Sequence, residues 1–163
     1  GLPQNAAPVI FCPGAEYGPA KRWPAAHFAI LARRLADNGW PVWLVGSAKD
    51  VAVGEEISRL SSSAALNLCG KTGLEQVIDL IAGARAVVSN DSGLMHVAAA
   101  VDRPLVALYG SSSPDYTPPL SPHAKILSRK LACSPCFKRE CPLGHLDCLT
   151  QLDPRQVATA LEA

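Results

Sequence analysis

Aromatic residues make up only 6% of the 163 residues, charged residues only 18%, and there is a single methionine. Neither sign of charge dominates: fifteen Lys and Arg face fourteen Asp and Glu, a formal net charge of +1. That balance excludes a nucleic-acid binder held by bulk charge, so any phosphate recognition must be local. Long apolar runs are missing too. Asp79 and Arg85 interrupt 77–88, and His96 interrupts 94–101, so no stretch reaches the roughly 18 apolar residues of a membrane span. The segment GLPQNAAPV has no basic region leading into an apolar run, and no secretory signal is expected in it.

Several motifs are also missing. No G-x-G-x-x-G follows the first apolar run, which argues against a dinucleotide site of the dehydrogenase type. GKT at 70–72 lacks the upstream glycine of a Walker A loop. There is no G-x-S-x-G nucleophile turn. No two carboxylates pair on one predicted element, so glycoside hydrolysis has no visible machinery.

What is present is a regular alternation. Hydrophobic residues reach 48%, enough for one globular domain over 1–163 that buries roughly 70% of its unfolded surface. Strands are predicted at 8–12, 41–46, 66–69, 84–89 and 104–110, with a sixth at 125–127. Helices are predicted at 24–38, 50–60, 74–82, 93–101 and 154–162. Phe28, Leu31, Ala32 and Leu35 share one helical face, as do Leu74, Val77, Ile78 and Ile81. Pro24 suits a first helical turn, Asn38-Gly39 a stop, and Asp153 an N-cap. Gly54 weakens the second helix. Strand and helix repeated in this way, with near-continuous apolar strands, predict an α/β fold with a doubly wound parallel sheet. GSSSPDYTPPLSPH (110–123) is too long for an ordinary connection, so it is either functional or mobile.

In that architecture ligands bind beyond the carboxyl ends of the strands. Those ends read PGAEYGPAKRW, GSAKD, GKTG, NDSG and GSSSPDYT. Each joins Gly to Ser, Thr, Lys or Asp, and the strand beginnings carry nothing comparable. The ends therefore describe a polar, phosphate-tolerant crevice. NDSG opens a helix at Gly93, where backbone N–H groups make an anion site and glycine admits a close approach. Ser92 can add a hydroxyl, and His96 lies one turn on. The plainer alternative is that Asp91 or Ser92 caps the helix and His96 is a surface residue. Gly14 and Lys21 lie in the first of these loops, and Lys21 can neutralise a diphosphate or stand as a solvated charge. Asp50 and Thr72 sit at the second and third ends. Asp50 can accept from a ribose diol or can simply cap a helix.

Cys12 and Cys69 end apolar runs and read as small buried hydrophobes. Cys133, Cys136, Cys141 and Cys148, with His145 among them, form a Cys-rich loop at 129–150 flanked by Arg129, Lys130, Lys138 and Arg139. The first pair has metal-ligand spacing and the second is looser. The four can supply soft ligands to Zn²⁺, or remain reduced thiols in a redox-labile loop.

NDSGLMHVAAAVDRPLVALYGSSSPDYTPPLS closely resembles the ADP-heptose:lipopolysaccharide heptosyltransferases, in particular their heptosyltransferase II-like members. PGAEYGPAKRWPAAHFAILARRL and VGSAKD resemble segments of the same enzymes in the same order, so the resemblance runs from about residue 8 to the end. It implies the Rossmann-like, C-terminal, donor-binding half of a GT-B glycosyltransferase. It implies inverting heptosyl transfer from ADP-L-glycero-D-manno-heptose to the lipopolysaccharide inner core, with no cofactor required and no metal in the site. By match to the family's motifs, Lys21 approaches the donor phosphates and sugar, Ser92, Gly93 and His96 hold the diphosphate, and Asp91 lies nearest the heptose. Lys21 and Asp91 are then the catalytic candidates, while Thr72 meets the adenine region and Asp50 the ribose. The family's catalytic base belongs to the other half, so this domain alone is expected to bind donor without useful transfer. The lipid A-core acceptor would engage through that N-terminal half, with at most a peripheral membrane contact at the cytoplasmic, inner face of the inner membrane. Two readings stand beside this one: the donor domain of another GT-B nucleotide-sugar transferase, and a metal-stabilised domain whose Cys loop recruits a protein partner.

Overall fold

The computed structural model describes residues 2, 5 and 7–163. Residues 1, 3, 4 and 6, part of the segment read for a leader, lie outside the described residues. In chain order the elements are β1 (Val9–Cys12), α1 (Ala25–Asp37), β2 (Val42–Leu44), α2 (Val51–Leu60), β3 (Ala65–Asn67) and α3 (Leu74–Ala82). Then come β4 (Ala86–Asn90), α4 (Gly93–Ala100), β5 (Leu105–Tyr109), β6 (Ala124–Ser128), α5 (Asp147–Thr150) and α6 (Pro154–Glu162). Single 3-10 turns at Pro19–Lys21 and Ala48–Asp50 follow β1 and β2. The six strands form one sheet in the order β3-β2-β1-β4-β5-β6, and every pairing is parallel. This is the strand order of dinucleotide-binding folds, reached without their glycine fingerprint.

The period-two alternation of a strand divides the core between two faces. Val9, Phe11, Val88, Val106 and Leu108 meet α1, α2 and α6 through Phe28, Leu35, Ile57 and Val157. Ile10, Cys12, Val87, Leu105, Ala107 and Tyr109 meet α3 and α4 through Val77, Ile81, Met95 and Ala98. Cys12 and Cys69 are buried as expected, and burial pushes both thiols up to about 12. Asp153 caps α6 by accepting from the Arg155 N–H at 2.8 Å.

Three expectations need correction. Leu74 does not share the buried face of α3; it is 64% exposed, because it opens the helix on the side of a cavity and not over the sheet. β3 ends at Asn67, not Cys69, since the Asn67 Oδ1 accepts the Cys69 N–H at 3.0 Å and turns the chain. Gly54 is no weak point of α2: a Cβ there would stand 2.3 Å from the Asn67 Oδ1, so glycine is what lets α2 lie on β3. The short helix α5 has no signature in the sequence. It exists because Leu149 is buried against Gly110, where a Cβ would stand 2.5 Å from the Leu149 Cγ.

Phe28 is fully buried, 5.4 Å from the Phe11 ring and 4.8 Å from the Trp23 ring. Phe28→Ala is expected to lower stability by about 3–5 kcal/mol, measured by equilibrium urea unfolding. A loss below about 1 kcal/mol would contradict this packing.

Candidate functional site

The chain leaves β1 toward β2 and β3 but leaves β4 toward β5 and β6. Beyond the carboxyl ends of such a pair a crevice opens. It is present here as a cavity of about 620 Å³, within the range that holds a nucleotide-sized ligand. Gly14, Glu16 and Arg22 reach it from the loop after β1, Ser47, Lys49 and Asp50 from that after β2, and Thr72 from that after β3. Ser92, Gly93, Leu94 and Val97 of α4 close the fourth side. Leu74, displaced from the core, forms part of the apolar wall with Val77.

Asn90 fixes this end of the sheet. It is fully buried, its Oδ1 accepts the Trp23 N–H at 3.0 Å, and its Nδ2 donates to the Pro13 carbonyl at 2.8 Å. One side chain at the end of β4 thus sets the path of the loop after β1. Asp50 lies where that loop meets the next. A Cβ at Gly14 would stand 2.3 Å from the Asp50 Oδ1, so glycine is required for the close approach. The Asp50 Oδ2 accepts from the Ser47 N–H at 2.8 Å and the Ser47 hydroxyl at 3.1 Å, closing a capping box on the 3-10 turn with Ser47 as its N-cap; Asp50 itself makes no side-chain cap to α2, the role weighed for it against a ribose contact.

Gly93 begins α4, and nothing lies within 4 Å of where its Cβ would be. Its helix terminus therefore faces open space, with N–H groups and the positive end of the helix dipole available to an anion. The Thr72 Oγ1 is buried on the cavity wall without a hydrogen-bond partner from the protein. Arg22, absent from the sequence expectations, also faces the cavity; its guanidinium donates to the Ala15 carbonyl at 3.1 and 3.3 Å. Lys49 and Glu16 pair at 2.8 Å on the rim, where exposure leaves such a pair little energetic weight.

Lys21 and Asp91 are brought together, but beside the cavity and not on its wall. The Lys21 Nζ donates to the Asp91 Oδ2 at 2.9 Å, and Asp91 is only 5% exposed. The same oxygen accepts from the Ser112 hydroxyl at 2.6 Å and the Thr117 hydroxyl at 3.2 Å. Lys21 is therefore no free cation. Burial, with the Asp91 charge added, raises the Tyr109 phenol above its ordinary value, and its hydroxyl donates to the Thr117 carbonyl at 2.5 Å. These bonds tie part of the 110–123 segment to Asp91. His96 is exposed on α4 and does not line the cavity. Ser112, Thr117 and Asn90 were legible only as members of polar strand ends, with nothing to mark the individual role of each.

The Cys-rich loop reaches the same region. The Phe137 carbonyl accepts the Tyr17 hydroxyl at 2.7 Å, and the Arg139 carbonyl accepts the Ala20 N–H at 3.0 Å. The Tyr17 ring lies 5.0 Å from the Lys21 Nζ and 5.2 Å from the Arg139 guanidinium, distances at which a cation is attracted to the ring face. All six cysteines are free thiols. Among the described residues, no three His, Cys, Asp or Glu side chains stand at ligating distance from one point.

Asn90→Ala leaves the Trp23 N–H and the Pro13 carbonyl without partners. The expected loss is about 1–3 kcal/mol for each group so stranded, with faster hydrogen exchange at the Trp23 amide. An unchanged denaturation midpoint would remove Asn90 from this role.

The comparisons with known proteins bear on the family and the fold. The sequence profile of glycosyltransferase family 9 (heptosyltransferase) matches residues 3–147. The chain is 50% identical over 161 residues to lipopolysaccharide heptosyltransferase 2 of Salmonella typhimurium, covering 96% of this chain and 46% of that protein. The solved structure of E. coli ADP-heptose LPS heptosyltransferase II matches with a TM-score of 0.83 at 47% identity, over 97% of this chain and 46% of that one. The structure of E. coli heptosyltransferase WaaC with ADP matches with a TM-score of 0.76 at 28% identity, over 99% of this chain and 46% of that one. The chain thus spans about half the length of the curated relatives it matches. With its six-stranded parallel sheet corresponding to one half of a heptosyltransferase II structure, the chain belongs to glycosyltransferase family 9, the heptosyltransferases.

Proposed function

We propose that this domain is the donor-binding half of an enzyme that transfers heptose from ADP-L-glycero-D-manno-heptose to the lipopolysaccharide core. The observation that carries the reading is the cavity between β1 and β4 with the open N-terminus of α4 on its wall. The presence of ADP with E. coli heptosyltransferase WaaC, of which this chain is a relative, supports it. In this reading the diphosphate lies over Gly93 and Ser92, and His96, exposed off the cavity wall, would meet it only where it emerges toward the first turn of α4. The base lies against the apolar wall of Leu74 and Val77, with the Thr72 hydroxyl as its polar partner and Asp50 near the ribose.

The proposed reaction is a single inverting displacement. A base outside this chain takes the proton of the acceptor hydroxyl, the hydroxyl oxygen bonds to the anomeric carbon, and ADP leaves with the electron pair. Negative charge grows on the leaving diphosphate, so stabilisation belongs at the α4 terminus and at cations beside it. Arg22 is on the cavity wall and Lys21 is held ready next to it by Asp91. With those donors in place, the transfer step needs no metal. Lys21 is then a group that leans between Asp91 and the donor phosphate. The lipid A-core acceptor engages through the other half of the enzyme, and no described helix is long and apolar enough to cross a membrane.

Calorimetric titration with ADP, without added divalent cation, tests this. Lys21→Ala and Gly93→Val are each expected to weaken binding about tenfold, equivalent to about 1.4 kcal/mol. Gly93→Val should leave thermal stability close to that of the parent, since open space surrounds that position. Parent-like affinity in both variants would remove the phosphate assignment.

A further inference from the structure

We propose that Cys133, Cys136, Cys141 and Cys148 bind one thiophilic divalent ion, Zn²⁺ by the chemistry of the donors, and that this ion staples together the loops that carry Lys21 and Ser112. The four cysteines and His145 line one cavity of about 20 Å³. A water-sized sphere needs roughly 10–15 Å³, so the space suits a single ion and not an organic ligand. The cavity lies away from the donor crevice, and the two share no lining residue.

A second observation is what the loop lacks. No residue from 129 to 147 is buried, and the only helix within 129–150 is the single turn of α5. Leu131 and Leu146 pack against the core at the two ends of the segment, but the stretch between them has no apolar core of its own and is held by hydrogen bonds to Gly110, Ser111, Tyr17 and Ala20. A stretch without its own core gains from a cross-link, as small domains do, and the six cysteines are unpaired. The third observation is the setting of Cys141. Its Sγ accepts the Leu146 N–H at 3.4 Å, and its carbonyl accepts the Gly144 N–H at 3.1 Å. Gly144, at φ 75°, takes the left-handed conformation that lets the turn fold back over the sulfur. The turn thus brings a backbone N–H onto the sulfur and holds the Cys141 side chain against the cavity. Tetrahedral thiolate sites of this composition select zinc.

In the structure the thiols surround the cavity without meeting at one point. Binding therefore draws them inward by side-chain rotation. Each thiol that ligates gives its proton to solvent, and nothing is oxidised.

The consequence follows from where the loop is anchored. Between Cys133 and Cys136, the Ser134 hydroxyl donates to the Gly110 carbonyl at 2.6 Å. Between Cys136 and Cys141, the Phe137 N–H donates to the Ser111 carbonyl at 2.7 Å, and the Arg139 carbonyl accepts the Ala20 N–H at 3.0 Å. Whatever closes the cysteines fixes both loops that supply partners to Asp91. The ion touches no substrate and is a positioning element. The metal site stands independently of the donor reading; only its effect on ADP affinity rests on that reading.

The test is elemental analysis of the chain purified under reducing conditions, reconstituted anaerobically with Zn²⁺ and desalted. About one equivalent is expected in the parent and in Cys69→Ala, and less than about a tenth in the Cys136→Ser/Cys141→Ser double variant. Cobalt(II) substitution gives a second readout, a sulfur-to-metal charge-transfer band that the double variant lacks, with circular dichroism reporting whether that variant is folded. Under about a tenth of an equivalent in the parent overturns the site, as does full retention in the double variant. Stripping the ion with a chelator should lower the melting temperature and weaken ADP binding severalfold. If the ion binds but its removal leaves ADP affinity unchanged, the staple is overturned and the site stands. If the parent loses ADP binding altogether with zinc in place, the donor reading fails and the metal site is untouched.

Discussion

Where β1 and β4 run side by side, the chain leaves their carboxyl ends in opposite directions, and every other feature of the site depends on that divergence. Parallel pairing from Val9–Ala86 to Cys12–Ser89 holds the two strands in register, and Asn90 continues the tie one residue further by binding the backbone of the next loop. The gap that remains cannot be filled by either crossover, so it stays open as the donor-sized cavity. α4 starts at its edge because the turn Asp91-Ser92 ends β4 and Gly93 begins a helix within three residues.

The pairing of Lys21 with Asp91 is the second consequence of the same geometry. Asp91 is nearly buried, and a buried carboxylate requires partners. Lys21, Ser112 and Thr117 supply them from the loops on either side. The loop after β1 and the loop after β5 are thus joined through one carboxylate oxygen. The Cys-rich loop joins the same two from outside through Phe137 and Arg139. The positions of charge around the cavity are therefore set by contacts that reach from 21 residues apart in sequence, for Ser112 and Asp91, to 70, for Lys21 and Asp91.

That distance explains what could be read in advance. Strand and helix order, the α1 face and the Asp153 cap rest on neighbours within a few residues, and the structure agrees with them. The polar character of the five strand ends was legible because residue type alone carries it. The role of Asn90 was not, since its partners are a backbone N–H and a carbonyl in another loop. Nor was the exposure of Leu74, which faces the cavity that the loops from other strands enclose. α5 arises from packing of Leu149 on Gly110 and leaves no periodic pattern. Asp50 was singled out correctly as a cavity residue, but the sequence could not say that Ser47 would engage one of its oxygens.

The central claim is that an anion sits on the N-terminus of α4. Backbone amide chemical shifts measured by nuclear magnetic resonance during titration with ADP address it directly. The account predicts that the largest changes fall on Gly93 and Leu94, with smaller ones at Gly14 and Thr72. Another cavity, of about 270 Å³, lies at the opposite end of the strands around Pro104, His123 and Lys125. Changes confined to that end, with Gly93 unmoved, would contradict the account.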